Sequence, residues 1–276
     1  MKNYRLISSD LDGTLLNSNA EVSEENLSAI SKLRKKGIHF VISTGRTFAE
    51  IPEALKKCSD IRYCVYSNGA VVYDKLTDHR ILACIDGETV QKILDVVSGY
   101  DAHLMIRYDG CAFVDKNFQT DYYFAYYNLC EAHIRVILDF AVYSGEFKKL
   151  CSSADNVEAI SMFFHNYEDK IECRKRLTEY DTIRVVEVDK FNIEIVNSDA
   201  GKGNALHSLV DMLEIDISDT ISIGDSDNDK SSIEVAGLGL AVSNSTDELK
   251  NAANEVICSN DEHVAEYVLE RYFGSQ

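Results

Sequence analysis

Two aspartates two residues apart open the segment Asp10-Leu11-Asp12-Gly13-Thr14, directly after an apolar run over residues 4–8. In extended backbone, residues i and i+2 point the same way, so both carboxylates can address one cleft. Like charges that close require a cation between them or a proton on one of them. Phosphoryl transfer uses both conditions. One carboxylate attacks phosphorus to form an aspartyl-phosphate, and the other gives a proton to the leaving oxygen. Mg2+ prefers carboxylate oxygens and suits such a site. The alternative is a plain Asp12-Gly13 turn. Four specified residues in this pattern arise by chance on the order of 10⁻³ times in a chain of this length.

Three other segments add chemistry of the same kind. Gly224-Asp225-Ser226-Asp227-Asn228-Asp229 follows a second apolar run and is ready to complete a Mg2+ shell. It is not an EF-hand, because Lys230 stands at the sixth loop position and Ala236 at the twelfth. A solvated acidic loop is the other reading. Ser43-Thr44-Gly45-Arg46 supplies a hydroxyl, a flexible glycine and successive backbone N–H groups, the makings of an anion-binding turn, with Arg46 adding charge. Gly201-Lys202-Gly203 opens a helical stretch. It is no Walker loop, since Gly203 follows the lysine, but Lys202 can place a cation beside the acidic groups.

The elements that must position these residues alternate. A strand is expected over residues 4–8, a helix over 23–36 and a strand over 38–43, which makes a right-handed βαβ unit and a parallel sheet. Ser23 can cap that helix, Leu27, Ile30 and Leu33 form its apolar stripe, and Gly37 stops it. Strands follow at 63–67 and 71–73, joined through Asn68-Gly69, which is either a turn or a loop touching substrate. The middle reads as a helix over 86–98, a hairpin over 103–114 turning at Asp109-Gly110, a strand over 159–164, a helix over 166–180, and strands over 183–188 and 192–196. Alternation resumes with helices over 202–213, 231–236 and 261–272 and strands over 221–223 and 239–242. The expected fold class is α/β: a doubly wound parallel-sheet core from residues 1–80 and 199–276, interrupted by an α+β domain over 81–198.

In this order, DLDGT, STGR, GKG and GDSDND resemble the four motifs of the haloacid dehalogenase (HAD) superfamily of phosphatases, and the insertion resembles the C2-type (C2B) cap of its Cof-like subfamily. The likeness covers essentially the whole chain. It implies a Rossmann-like core with a cap that sets substrate specificity, and it implies that Asp10 is the nucleophile and Asp12 the general acid/base. It further implies Mg2+ held by the Asp10 carboxylate, the Asp12 main-chain carbonyl and Asp225, with Asp229 in the outer shell. Thr44 and Lys202 would hold the phosphoryl group with help from Asn228, and Gly45 and Arg46 would complete the phosphate turn. The activity implied is Mg2+-dependent hydrolysis of small phosphate monoesters, sugar phosphates or similar compounds such as pyridoxal phosphate or flavin mononucleotide. A sugar phosphomutase of related fold and a non-catalytic phosphate-ester sensor are the alternatives. One departure is Lys230-Ser231-Ser232, where the family often has a Met- or Leu-bearing helix.

Composition narrows the partners. Of 276 residues, 28 are Lys or Arg and 46 Asp or Glu, giving a net charge of −18. A surface that negative repels nucleic acid and anionic lipid, and no window approaches the roughly 18 consecutive apolar residues of a membrane span. The eight cysteines are dispersed without a C-x-x-C pair, and the seven histidines show no H-E-x-x-H spacing. Zinc clusters and disulfides are therefore not expected, and the thiols are expected to be reduced and mostly buried. The first ten residues lack the apolar stretch of a signal peptide, so the expected location is the cytoplasm; a monomer or weak homodimer is expected, though no motif sets the oligomeric state. The aromatic run Tyr122-Tyr123-Phe124-Ala125-Tyr126-Tyr127 is either an aromatic wall for a ligand or internal packing.

Overall fold

The computed structural model describes residues 3–274. The chain divides into two compact units, one of residues 1–45, 51–81 and 201–276, the other of 46–50 and 82–200. The short stretch 46–50, expected to continue the core, clusters with the second unit instead. Its Ala49 amide donates to the Gly110 carbonyl at 2.8 Å, inside the hairpin turn of that unit.

The first unit is built on strands β1 (Leu6–Ser9), β2 (His39–Ser43), β3 (Tyr63–Tyr66), β4 (Val71–Asp74) and β5 (His79–Leu82), with β12 (Thr220–Gly224), β13 (Leu238–Ala241) and β14 (Glu255–Val256) from the far end of the chain. Their order is β14-β13-β12-β1-β2-β3-β4-β5. All pairings from β14 through β3 are parallel, and β4 turns back antiparallel on β3. Strand β1 lies between β12 and β2, so the chain leaves it in one direction and returns on its other side. That is a topological switch point, where open α/β sheets bind their ligands.

Both faces of the central strands β12, β1, β2 and β3 are buried, as parallel strands require. On one face Leu6, Val41 and Val65 meet Leu206, Leu209 and Val210 of α8 (Lys202–Leu213). Side-chain alternation sends the buried Ile7, Phe40 and Ile42 the other way, where α1 (Glu24–Lys35) packs on β2 and on α11 (Val264–Phe273). Helix α1 starts where its chemistry predicts: the Ser23 hydroxyl accepts the Asn26 amide at 3.2 Å, acidic side chains fill the first turn and basic ones the last.

The second unit is a six-stranded sheet in the order β10-β11-β9-β6-β7-β8, from β6 (Ala102–Tyr108), β7 (Cys111–Asp115), β8 (Val142–Ser144), β9 (Ala159–Phe164), β10 (Ile183–Glu187) and β11 (Asn192–Asn197). It is antiparallel except for the β7–β8 pair. The β6–β7 hairpin turns at Asp109 and Gly110, both with positive φ (47° and 74°) as a tight two-residue turn demands. All six residues of β9 are buried, because helices cover both faces. Ile160, Met162 and Phe164 face a core shared with α3 (Gly87–Val97), α6 (Phe147–Ser153) and α7 (Tyr167–Leu177), and Phe163 faces one shared with α4 (Asp121–Tyr126) and α5 (Glu131–Phe140).

The stretch 115–158 gives little periodic signal, yet α4, α5, β8 and α6 form there. The aromatic run is α4 and its end. Phe124 is buried, the Tyr126 and Tyr127 hydroxyls donate to Asp101 at 2.7 and 3.1 Å, and Tyr122 is exposed. Internal packing accounts for most of it. Among the described residues none of the eight cysteines is in a disulfide; three are buried, four half-buried, and Cys130 is exposed.

Candidate active site

The register of the first sheet brings the acidic segments together. Ser9 pairs with Ile223, and the Asp10 amide donates to the Ile223 carbonyl at 3.0 Å, so Asp10 and Asp225 leave neighbouring strand ends at the same level. Beyond Asp10 the chain tightens into a single wide turn, Leu11–Leu15, anchored by the fully buried Leu11, Leu15 and Leu16. Gly13 sits in that turn at φ +69°, and a Cβ there would lie 2.5 Å from the Asp225 carboxylate. Only glycine allows this approach. Its carbonyl accepts the Asn244 side-chain amide at 2.7 Å, which ties in the loop after β13.

Asp10, Asp225 and Asp229 form a cluster in which one carboxylate oxygen from each lies within 4.8 Å of the others. Lys202, at the start of α8, is buried against it. Its Nζ donates to Asp10 Oδ1 at 2.7 Å and to Asp229 Oδ1 at 2.6 Å. The other Asp229 oxygen accepts the backbone N–H groups of Asp225 and Ser226 at 3.0 and 3.2 Å. Both oxygens of Asp229 are thus engaged, while an ammonium has three donors and Lys202 commits two here.

Burial pushes the Asp10 carboxyl up, the Lys202 ammonium pulls it back, and Asp229 and Asp225 push it up again, leaving it at about 8. Asp225 is raised as well, by burial first and Asp229 second. Burial works against the Lys202 ammonium, but Asp10 and Asp229 outweigh it and drive it to about 12. With all three carboxylates ionised against one ammonium, the site carries an excess of two negative charges, with Asp10, Asp229 and Lys202 buried. An all-oxygen donor set with that excess fits a hard divalent cation.

Of the other expected residues, Asp12 is exposed and its carboxylate stands outside the cluster of three. Thr44 is buried at the end of β2; its amide donates to the Val65 carbonyl, and its own carbonyl accepts the Asn68 amide at 3.1 Å. The Asn228 side-chain amide donates to Asn68 Oδ1 at 3.1 Å, and a Cβ at Gly45 would lie 2.9 Å from the same oxygen. Thr44, Gly45 and Asn228 therefore meet through Asn68, which adopts φ 54°. Arg46 groups with the second unit, and its guanidinium donates to the Glu50 carbonyl at 2.8 Å.

Sequence reasoning passed over Asn244, held Asn68 open between a turn and a substrate-touching loop, and met Ser231 only as a departure from the family pattern. The Ser231 hydroxyl accepts the Gly203 amide at 3.1 Å, and Ser232 links Ser222 to the Asp229 carbonyl at 3.0 and 2.8 Å. Hydroxyl bonds thus help hold α9 (Lys230–Val235), beside the packing of its buried Ile233 with Ala241 and Leu249. Asn68 and Asn244 lie just beyond the ends of β3 and β13, whereas Ser231 lies inside α9.

A family model for haloacid dehalogenase-like hydrolases matches residues 7–269. Phosphatase YwpJ of Bacillus subtilis is 29% identical, over 94% of this chain and 96% of its own. The 5-amino-6-(5-phospho-D-ribitylamino)uracil phosphatase YwtE of the same organism is 29% identical over 99% of each. The crystal structure of TM0651 from Thermotoga maritima superposes with a TM-score of 0.80 over 97% of each chain at 27% identity.

Proposed function

The chain belongs to the haloacid dehalogenase-like hydrolase family, and on that premise we propose that it hydrolyses small phosphate monoesters through a covalent intermediate on Asp10. The family and the phosphatase relatives make the chain a phosphoric monoester hydrolase; the roles below are our reading of this site. The observation that carries it is the buried Asp10–Lys202–Asp229 network beside Asp225.

An Asp10 carboxylate oxygen attacks phosphorus, the bond from phosphorus to the ester oxygen breaks, and Asp12 protonates the departing alkoxide. Asp12, now a carboxylate, takes a proton from the water that attacks the same phosphorus. The bond to Asp10 breaks, and inorganic phosphate leaves. Exposure suits Asp12 to this exchange, because it must reach both an alcohol and water. Such acid/base help is worth about 10²–10⁴ in rate. The third Lys202 donor, Thr44, Gly45 and Asn228 hold the phosphoryl oxygens, and Asn68 positions that set.

Mg2+ fits the carboxylate cluster: the Asp10 and Asp225 carboxylates and the Asp12 carbonyl would hold it, with Asp229, already saturated by donors, supporting from outside. When bound it supplies positive charge that offsets the carboxylates and the phosphoryl oxygens. These core residues address only the phosphoryl group, so we assign substrate choice to the inserted domain. One relative is named for a phosphate carried on a ribityl chain, which supports sugar or polyol phosphates as the substrate class. A phosphate-release screen over phosphorylated metabolites, with Mg2+ or chelator, tests this reading. Release from sugar or polyol phosphates that requires Mg2+ is expected, and equal release in chelator contradicts it.

A further inference from the structure

The second unit holds a different cluster of metal-ligating side chains. Cys130 Sγ lies 3.1 Å from His133 Nδ1, and one ligand atom each from Cys130, His133 and Asp189 lie within 4.8 Å of one another. Cys130 stands at the N-terminus of α5 and His133 one turn later on the same face. The Cys130 side chain makes no capping bond and is exposed. Asp189 arrives from the turn between β10 and β11.

That turn is braced. Asp189 Oδ1 accepts the Phe191 amide at 2.8 Å, and Lys170 Nζ donates to the Asp189 carbonyl at 2.8 Å. The imidazole is steadied edge-on against Phe163, ring centroids 5.0 Å apart. One oxygen of Asp189, the thiol and a ring nitrogen therefore converge from supported positions.

We propose that these three side chains form a zinc-class site, separate in chemistry from the carboxylate cluster of the first unit. A thiolate and a carboxylate balance a divalent charge, with a neutral imidazole as third ligand and water as fourth. Ligand atoms around tetrahedral zinc stand about 3.5 Å apart, close to the spacings here. The soft thiolate selects zinc or cobalt over Mg2+, whereas the all-oxygen cluster selects the hard ion. The bound ion ties the start of α5 to the β10–β11 turn. It revises the expectation of no zinc site: Cys130 and His133 have a ligand-like spacing, but their partner lies far along the chain.

The test uses the full chain saturated with Mg2+, titrated with Co2+ under reducing conditions. A near-ultraviolet thiolate-to-cobalt charge-transfer band that saturates at one equivalent is expected. Cys130→Ser should abolish that band and His133→Ala should abolish saturable binding. Asp189→Asn should weaken binding at least about tenfold, all three with unchanged far-ultraviolet circular dichroism. Absence of the band in the wild-type protein, its persistence in Cys130→Ser, or its loss to excess Mg2+ would each overturn the site. Phosphate release plays no part in this readout, so it stands apart from the phosphatase reading.

Discussion

Burial makes a few side chains decisive at the scale of single residues. Asp10→Asn keeps the shape of the side chain and removes the attacking charge. Phosphate release should fall by at least about a thousandfold with circular dichroism unchanged; retained turnover would remove Asp10 from its role. Lys202→Met takes away the ammonium that bonds both Asp10 and Asp229. Breaking such a buried pair costs about 3–5 kcal/mol, to be read by urea unfolding in chelator, and Mg2+ should recover part of it. The pH dependence has a definite sign. Without a cation, Asp10 titrates at about 8 in the folded chain against an ordinary 3.8. Between those values the folded state keeps a proton that the unfolded chain has lost. Its contribution to stability is therefore complete below about 3.8 and is lost as pH rises through about 8. Melting temperature in chelator should decline from about pH 5 to about pH 8, and Mg2+ should stabilise more at the upper end. A flat profile in chelator would contradict the buried, crowded carboxyl.

The elements explain why these side chains meet. Adjacent parallel strands end level, so Asp10 and Asp225 are neighbours although they come from opposite ends of the chain. The turn after Asp10 then depends on Gly13. Gly13→Ala places a methyl 2.5 Å from the Asp225 carboxylate at φ +69°. We expect a loss of about 1–3 kcal/mol in stability and a deeper loss of activity, measured by thermal unfolding and phosphate release. Wild-type behaviour of that variant would show that the turn tolerates movement. Much of this was legible in sequence. The capped α1, the Asp109-Gly110 hairpin and the α8 span follow from local chemistry, and Lys202, Asp10 and Asp225 were named from motif and position. What was not legible depends on distant partners. Asn68 earns its place through Asn228, Asn244 through Gly13, and Arg46 turns to Glu50, none of which local spacing encodes. Helices α4 and α6 are short and are held by the second-unit cores more than by their own periodicity.

At the scale of the molecule, each unit has its own buried core. Ligand effects should therefore be regional. In hydrogen exchange, Mg2+ is expected to slow amides around residues 9–16 and 223–229 and to leave β6, β9 and β11 unchanged; uniform slowing would mean that the units unfold as one. The described residues contain no helix long and apolar enough to cross a membrane. The central claim is that phosphate passes through Asp10 itself. Rapid acid quench during turnover of a generic aryl phosphate, followed by borohydride reduction and peptide mass spectrometry, tests it directly. Reduction of the acyl-phosphate should convert position 10 to homoserine. An intact Asp10 under steady turnover, with the reduced residue found elsewhere or nowhere, would contradict the mechanism.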